Sequence, residues 1–325
     1  MLHRPRRNRR TPAIRDLVHE TALSASDLIY PVFLHAEAVD TPIDAMPGQT
    51  RWSPDGLLGE AERALQAGIQ SLVLFPKVDD AKKDRIGTEA SNEAGLIPAT
   101  LRALKSRFPE LTLITDVALD PYSSDGHDGI VADDGTILND ETIEVLERQA
   151  VAQARAGADI IAPSDMMDGR IGRIRAALDQ EGHADVGLLS YTAKYASSFY
   201  GPFRGALDSA PKSGDKKTYQ MDPRNRREAV RKLQLDEAEG ADMVMVKPAG
   251  PYLDIIRELR NATTLPVAAY QVSGEYLMIE AAAASGWLDR RGVALESLTG
   301  IKRAGADMIL TYYAVEAAGW LRQAH

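Results

Sequence analysis

Two lysines stand where apolar runs end. Lys247 closes ADMVMVK, and Lys194 lies two residues past VGLLSYT. Lysine is seldom buried without a partner, and one such residue can be explained by snorkelling outwards or by pairing with an aspartate. Two on neighbouring strands, about 5 Å apart across a sheet, ask for a chemical reason. Desolvation destabilises an ammonium and a second cation nearby destabilises it further, so both lower its pKa. A neutral amine then attacks a ketone and forms an imine. Two such amines can hold two carbonyl substrates, or grip one substrate twice.

A second set of candidates lies in DVALDPYSSDGHDG, residues 116–129, which gathers carboxylates, hydroxyls, glycines and one histidine. It has the look of a metal loop, yet the chain contains no cysteine. That absence removes disulfides, thiolate catalysis and sulfur-ligated zinc together. A third set follows Lys194, in YASSFYGPFRGALDSAPKSGDKKTYQMDP. A stretch this long without regular pattern is expected to be a lid. Arg204 and Lys216 within it can clamp a carboxylate as it closes, the plainer alternative being a solvated basic loop.

These groups need a scaffold. Eight short apolar runs recur: LIYPVFL (28–34), SLVLF (71–75), LTLITDVAL (111–119), ADIIAPS (158–164), VGLLSYT (186–192), ADMVMVKP (241–248), PVAAYQV (266–272) and ADMILTYY (306–313). Their apolar residues run on without alternation, as in parallel strands covered on both faces by helices. Amphipathic stretches such as IEVLERQAVAQARAG separate them. Three runs are preceded by a glycine-stopped phrase, Ala156–Asp159, Glu239–Asp242 and Ala304–Asp307, where a helix ends and a strand begins. Eight strands alternating with helices predict a (β/α)8 TIM barrel. A doubly wound sheet is disfavoured because no glycine-rich phosphate turn follows the first run. In a barrel the chemistry lies at the carboxyl ends of the strands, which offers Asp116, Asp120, Ser164, Asp165, Lys194, Lys247, Gln271, Ser273 and Tyr312.

The chain of 325 residues is 44% apolar and carries a net charge of −9, enough to bury a large core and against broad nucleic-acid binding. No apolar run approaches the roughly 20 residues of a membrane helix. The N-terminus lacks the apolar stretch of a secretory signal, so a cytoplasmic protein without membrane partner is expected. Residues 1–25 are read as an N-terminal arm for subunit contacts, rich in arginine at 4, 6, 7, 9 and 10. Residues 26–325 form the catalytic barrel, with the lid around 201–222.

The stretches YTAKYASSFYGPFR, GADMVMVKPAGPYLD, APSDMMDGR, YQVSGEY and the RRNRR arm together resemble the porphobilinogen synthase (5-aminolevulinic acid dehydratase) family. The resemblance runs from the arm to the last strand. It implies a homo-oligomer, hexamer or octamer and open to allosteric control, that condenses two 5-aminolevulinate molecules into porphobilinogen. This is an early step of haem and chlorophyll synthesis. On the family pattern Lys194 forms a Schiff base with the A-site substrate and Lys247 with the P-site substrate. Arg204 and Lys216 would hold the A-site carboxylate, and Ser273 and Tyr312 the P-site carboxylate.

The chain also departs from that pattern. Zinc-using members carry three cysteines where this chain has Ala118, Asp120 and Asp128, so zinc is not expected. The oxygen donors suit magnesium or a monovalent cation instead. With Asp116, these aspartates can order water or move protons. Magnesium-stimulated members carry a glutamate fifteen residues before the second lysine. Here that position is Lys232, which cannot ligate a cation and whose plainer partner is Glu228, one helical turn back. Both departures point to an enzyme that requires no metal. Two other readings compete: an aldolase, which needs one imine lysine rather than two, and a non-catalytic barrel binding through its arm, which leaves both lysines without purpose.

Overall fold

All eight apolar runs form strands in a computed structural model, which describes residues 1–207, 209 and 211–323. They are β1 (Leu28–Leu34), β2 (Ser71–Pro76), β3 (Thr112–Val117), β4 (Ile160–Pro163), β5 (Gly187–Lys194), β6 (Met243–Lys247), β7 (Val267–Gln271) and β8 (Met308–Thr311). Every neighbouring pair is parallel, and β8 returns to β1 through Leu28↔Ile309 and Ile29↔Leu310. The sheet is therefore a closed (β/α)8 barrel. Strand β1 shows why the sequence lacks alternation, since all seven of its residues are buried, some in the barrel and some beneath helices.

The helices outside the barrel bury one stripe each. Leu253–Ala262 turns Ile255, Ile256 and Leu259 inwards. Local chemistry sets the helix starts: Ser53 accepts from the Gly56 N–H ahead of Pro54, and Asp289 accepts from the Gly292 N–H.

The three glycine–alanine–aspartate phrases do more than stop helices. Gly157, Gly240 and Gly305 adopt φ of 105°, 97° and 124°, a region that favours glycine. Each following aspartate then grips one residue of the adjacent strand twice. Asp242 N–H donates to Leu188 O at 3.0 Å while its Oδ2 accepts from Leu188 N–H at 2.7 Å. Asp159 does the same with Leu113, and Asp307 with Val267. These clasps close the amino ends of β3–β4, β5–β6 and β7–β8.

The opposite, carboxyl ends carry the long connections. After β3 comes a loop with a small hairpin, Ile130–Val131 against Ile137–Leu138. After β5 come a short 3-10 turn, Ser198–Tyr200, and the helix Gly201–Leu207. The returning lid chain pairs with β5 itself, Met221 N–H donating to Lys194 O at 3.0 Å and Ala196 N–H to Met221 O at 2.8 Å. At the N-terminus, a 3-10 turn Pro5–Arg9 and a helix Pro12–Val18 bury none of their residues, and Leu17 is 84% exposed. Among the described residues no helix is long and apolar enough to cross a membrane.

Candidate active site

The register of β5 and β6 sets Lys194 directly across from Lys247. A strand positions a side chain to alternate faces, and a register irregularity between Val244 and Val246 lets the two lysines meet at the top of the barrel. Each is only 6% exposed. They line one cavity with Phe75, Asp116, Asp120, Asp128 and others from the carboxyl-end loops and the lid.

The surroundings of the two nitrogens differ. Lys194 Nζ donates to the Ser164 carbonyl and lies 3.4 Å from Asp128 Oδ2. Lys216 reaches down from the lid to the same carboxylate, 2.8 Å from Asp128 Oδ1, and stands 3.4 Å from Asp120. Gln220 Nε2 adds a longer contact to Asp128 at 3.4 Å. His127 does not turn towards these acids: Nε2 donates to Ser213 O at 2.9 Å and Nδ1 faces Tyr219 Oη at 3.1 Å, so it ties the loop to the lid.

Lys247 Nζ is enclosed by rings. Tyr270, Tyr191, Phe203 and Tyr200 have their centroids 4.6, 5.1, 5.1 and 5.3 Å away. Burial first, and then the Lys194 charge, lower its proton affinity to a pKa of about 7. Rings offset part of the lost hydration through their quadrupoles but cannot accept a hydrogen bond as a carboxylate does.

The acids are likewise separated in proton affinity. Burial alone would raise Asp128, yet the charges of Lys194 and Lys216 hold it well below the usual carboxylate range. Asp120 is pushed up by burial against the opposing pull of Lys216, with Asp128 adding repulsion. Asp116 is pushed up to about 7 by burial and by the Asp120 charge. Burial lowers Lys216, but Asp120 and Asp128 outweigh it and raise the ammonium. One carboxylate is thus firmly ionised while another stands ready near neutrality, an arrangement suited to acid–base work.

Of the residues singled out from sequence, Lys194, Lys247, Arg204, Lys216, Asp116, Asp120, Asp128 and Ser164 line the cavity, whereas Asp165, Gln271, Ser273 and Tyr312 do not. Ser273 Oγ accepts from Phe203 N–H at 3.1 Å and contacts Phe199 O at 3.4 Å, while Tyr312 Oη is 3.0 Å from Tyr270 Oη. Phe203 from the lid packs beside them, 5.6 Å from the Phe33 ring that stacks on Tyr312. Sequence reasoning missed Gln220, the ring set of Tyr191 and Tyr270, and Arg170, which forms a fully buried pair at 3.4 Å with the Asp165 that it had offered. Asp165 is pushed up to about 6 by burial despite Arg170. The APSDMMDGR stretch that carries this pair is the signal that could have found it.

Lys232 does not use Glu228. Its Nζ pairs with Asp236, one turn forward, and Asp236 also accepts from Ser190 Oγ at 2.7 Å. Glu228 instead accepts from Asn225. Burial and the nearby Arg170 lower Lys232.

The donor set does not fit a thiolate zinc site: Ala118 brings a methyl group, and Asp128 is already engaged by two ammonium groups. Among the described residues no three His, Cys, Asp or Glu side chains form a metal-holding group.

Comparison with known proteins gives a single answer. The family described as delta-aminolevulinic acid dehydratase matches residues 2–320. A chloroplastic delta-aminolevulinic acid dehydratase of Physcomitrium patens is 61% identical over 320 residues, covering 98% of this chain and 74% of that protein. One from Glycine max is 60% identical, covering 98% and 77%. A crystal structure of the Toxoplasma gondii ME49 enzyme in complex with the reaction product porphobilinogen superposes with a TM-score of 0.99 at 52% identity. It covers 100% of this chain and 93% of that one. The expectation of a cytoplasmic location is corrected here, because these plant relatives, and that of Arabidopsis thaliana, are named chloroplastic. The lack of a long apolar run in residues 1–25 does not separate cytosol from plastid.

Proposed function

The chain belongs to the delta-aminolevulinic acid dehydratase family, and from that membership we propose how its own residues perform the reaction. It is a lyase that condenses two molecules of 5-aminolevulinate into porphobilinogen with loss of two waters, early in tetrapyrrole synthesis. Both lysines act as nucleophiles: Lys194 forms an imine with the A-site substrate and Lys247 with the P-site substrate. The observation that carries this reading is their cross-strand register within one buried cavity. Reacting carbonyls bound there are held side by side, which converts a bimolecular condensation into a local one.

The A-site carboxylate is held by Arg204 and by Lys216, which exchanges part of its contact with Asp128 for the substrate. Ser273 and Tyr312 hold the P-site carboxylate once Phe203 moves aside; Ser273 begins the helix Ser273–Ala284, whose free N–H groups also favour an anion. Asp116 takes and returns protons, while Asp120 and Asp128 order the ammonium groups. The reaction requires no metal: magnesium or a monovalent cation is at most a stimulant, and zinc is not used. Away from the active site, Lys232 supplies in fixed form the positive charge that magnesium brings to relatives with a glutamate there. The enzyme is a homo-oligomer, hexamer or octamer, joined through the arm of residues 1–25, and is allosteric in that sense.

Reduction with borohydride in the presence of 5-aminolevulinate tests the imines, with adducts expected on Lys194 and Lys247 by peptide mass. An adduct on neither lysine overturns the reading. Porphobilinogen formation measured with strong chelator, with magnesium and with zinc is expected to be equal; loss with chelator and recovery with magnesium rejects the metal-free mechanism. Lys232→Glu is expected to create a magnesium response. Deleting residues 1–12 is expected to change the particle mass in solution, and an unchanged mass removes the role given to the arm.

A further inference from the structure

Tyr191 lies on β5 three residues before Lys194 and is fully buried. Of the described rings it alone faces both lysines, its centroid 5.9 Å from Lys194 Nζ and 5.1 Å from Lys247 Nζ. The other tyrosines around Lys247 have their hydroxyls engaged: Tyr200 Oη donates to Lys247 O at 3.1 Å, and Tyr270 Oη meets Tyr312 Oη at 3.0 Å. The Tyr191 hydroxyl is buried and has no hydrogen-bond partner among the described residues. A phenol orphaned in a core costs stability, and phenylalanine would fill the same space without that cost. Such groups call for an explanation in the chemistry of the site.

We infer that Tyr191 is a further catalytic residue, its hydroxyl relaying protons from nitrogen to oxygen as each lysine forms its imine. The inference rests on the two-imine reading above. An ammonium first gives one proton to the Asp116 carboxylate, which shares the cavity with both lysines. The neutral amine attacks the ketone carbon, the C–N bond forms, and the carbonyl electron pair moves onto oxygen. A proton must then pass from nitrogen to an oxygen on the same carbon, a strained direct transfer. A phenol removes the strain by accepting the N–H proton on its oxygen while handing its own proton to the carbinolamine oxygen. It ends neutral, so burial, which opposes formation of phenolate, is no obstacle. Asp116 returns its proton to the hydroxyl as the C–O bond breaks, water leaves, and the nitrogen pair completes the C=N bond. One ammonium and one ketone have become one iminium and one water, with Asp116 and Tyr191 restored.

Tyr191→Phe tests this, because it keeps the ring against both nitrogens and removes only the hydroxyl. We expect a melting temperature equal to or above that of the parent, kcat lower by about 10²-fold, in the range of a lost proton-transfer group, and little change in KM. The rate of borohydride-trapped adduct formation in single turnover is expected to fall in parallel. So is ¹⁸O exchange from the ketone of levulinate, which lacks the substrate's amino group and reports imine formation alone. If the parent enzyme gives no adduct, the two-imine reading itself fails. If the parent is labelled and Tyr191→Phe is labelled and exchanges at the same rate, only the role of Tyr191 fails. A variant that melts lower or does not fold also overturns it, since the hydroxyl would then be a structural group of the core.

Discussion

Lys194 and Lys247 occupy equivalent places, matched in strand register and in burial, yet one stands among carboxylates and the other among aromatic rings. Asp128 and the Ser164 carbonyl give Lys194 partners for its charge. Lys247 has four rings and a neighbouring cation, and its amine is free near neutral pH. Position on the scaffold is therefore not what distinguishes the two sites. The loop after β3 and the segment after β5 set the surroundings of each lysine, and the barrel only brings them together. On the proposed two-imine mechanism, a condensation of two like molecules benefits from such a difference, because the same substrate is presented to two unlike amines.

The sharpest way to break this comparison is to remove each nitrogen. Lys194→Met and Lys247→Met should each lower kcat by at least about 10⁴-fold, the scale of a lost nucleophile. Their stabilities should diverge. Lys194→Met leaves Asp128 with Lys216 as its remaining ammonium partner and should cost about 1–3 kcal/mol in a denaturant melt, the scale of a lost hydrogen bond to a buried charged group. Lys247→Met removes a cation that burial opposes and should melt no lower than the parent. Equal melting curves for the two variants would erase the difference drawn between the sites.

Asp128→Asn attacks the acid side alone. It should lower kcat by about 10²-fold and lower the melting temperature, since Lys194 and Lys216 lose their shared counter-ion. If it leaves turnover intact, Asp128 is only a structural anchor for the lid.

Next is the effect of pH. For the proposed imine to form, Lys247 must lose a proton and Asp116 must be ionised to receive one, and both groups titrate near 7. Both demands act in the same direction, so kcat/KM should rise with pH, by up to about a hundredfold per unit below about 7 and levelling above it. The stability linkage has the same sign. Lys247 is deprotonated in the fold above about 7 while the unfolded lysine stays charged to about 10.4. The unfolded chain thus binds more protons across that window, and stability should rise with pH through it. Lys247→Met should flatten this slope. A pH–rate profile flat between pH 6 and 8 would remove the free amine from the comparison.

Much of the fold and of the site is legible in the amino-acid sequence alone. The eight unalternating runs signal a covered parallel barrel, because burial on both faces leaves no polar face in the sequence. Lys194 and Lys247 are legible because an ammonium ending an apolar strand has no cheap explanation. Ala118, Asp120 and Asp128 are legible by the residue types they lack. The ring set around Lys247 is not, since Tyr191, Phe203 and Tyr270 come from three segments and each reads as ordinary core. Nor is the engagement of Lys216 with Asp128, 88 residues apart, which depends on where the lid comes to rest. Lys232 shows the limit on a single helix: both Glu228 and Asp236 are one turn away, and spacing alone cannot choose between them. Asp236 is selected because Ser190 and Arg170 hold it in the buried layer.

The clasp at the foot of β5 and β6 should yield the mildest effect of all. Asp242→Ala removes one arm of the grip on Leu188 and should cost about 1–3 kcal/mol of stability with most turnover retained. Its wider meaning is one of indexing. A strand displaced by a single residue exchanges its two faces, so a one-step slip between β5 and β6 would turn one lysine into the helical layer and leave its partner alone. The aspartate touches no substrate and stands at the far end of the molecule. It acts as a ruler's zero mark: the distance between the two amines is measured out from there, and three such marks graduate six of the eight staves.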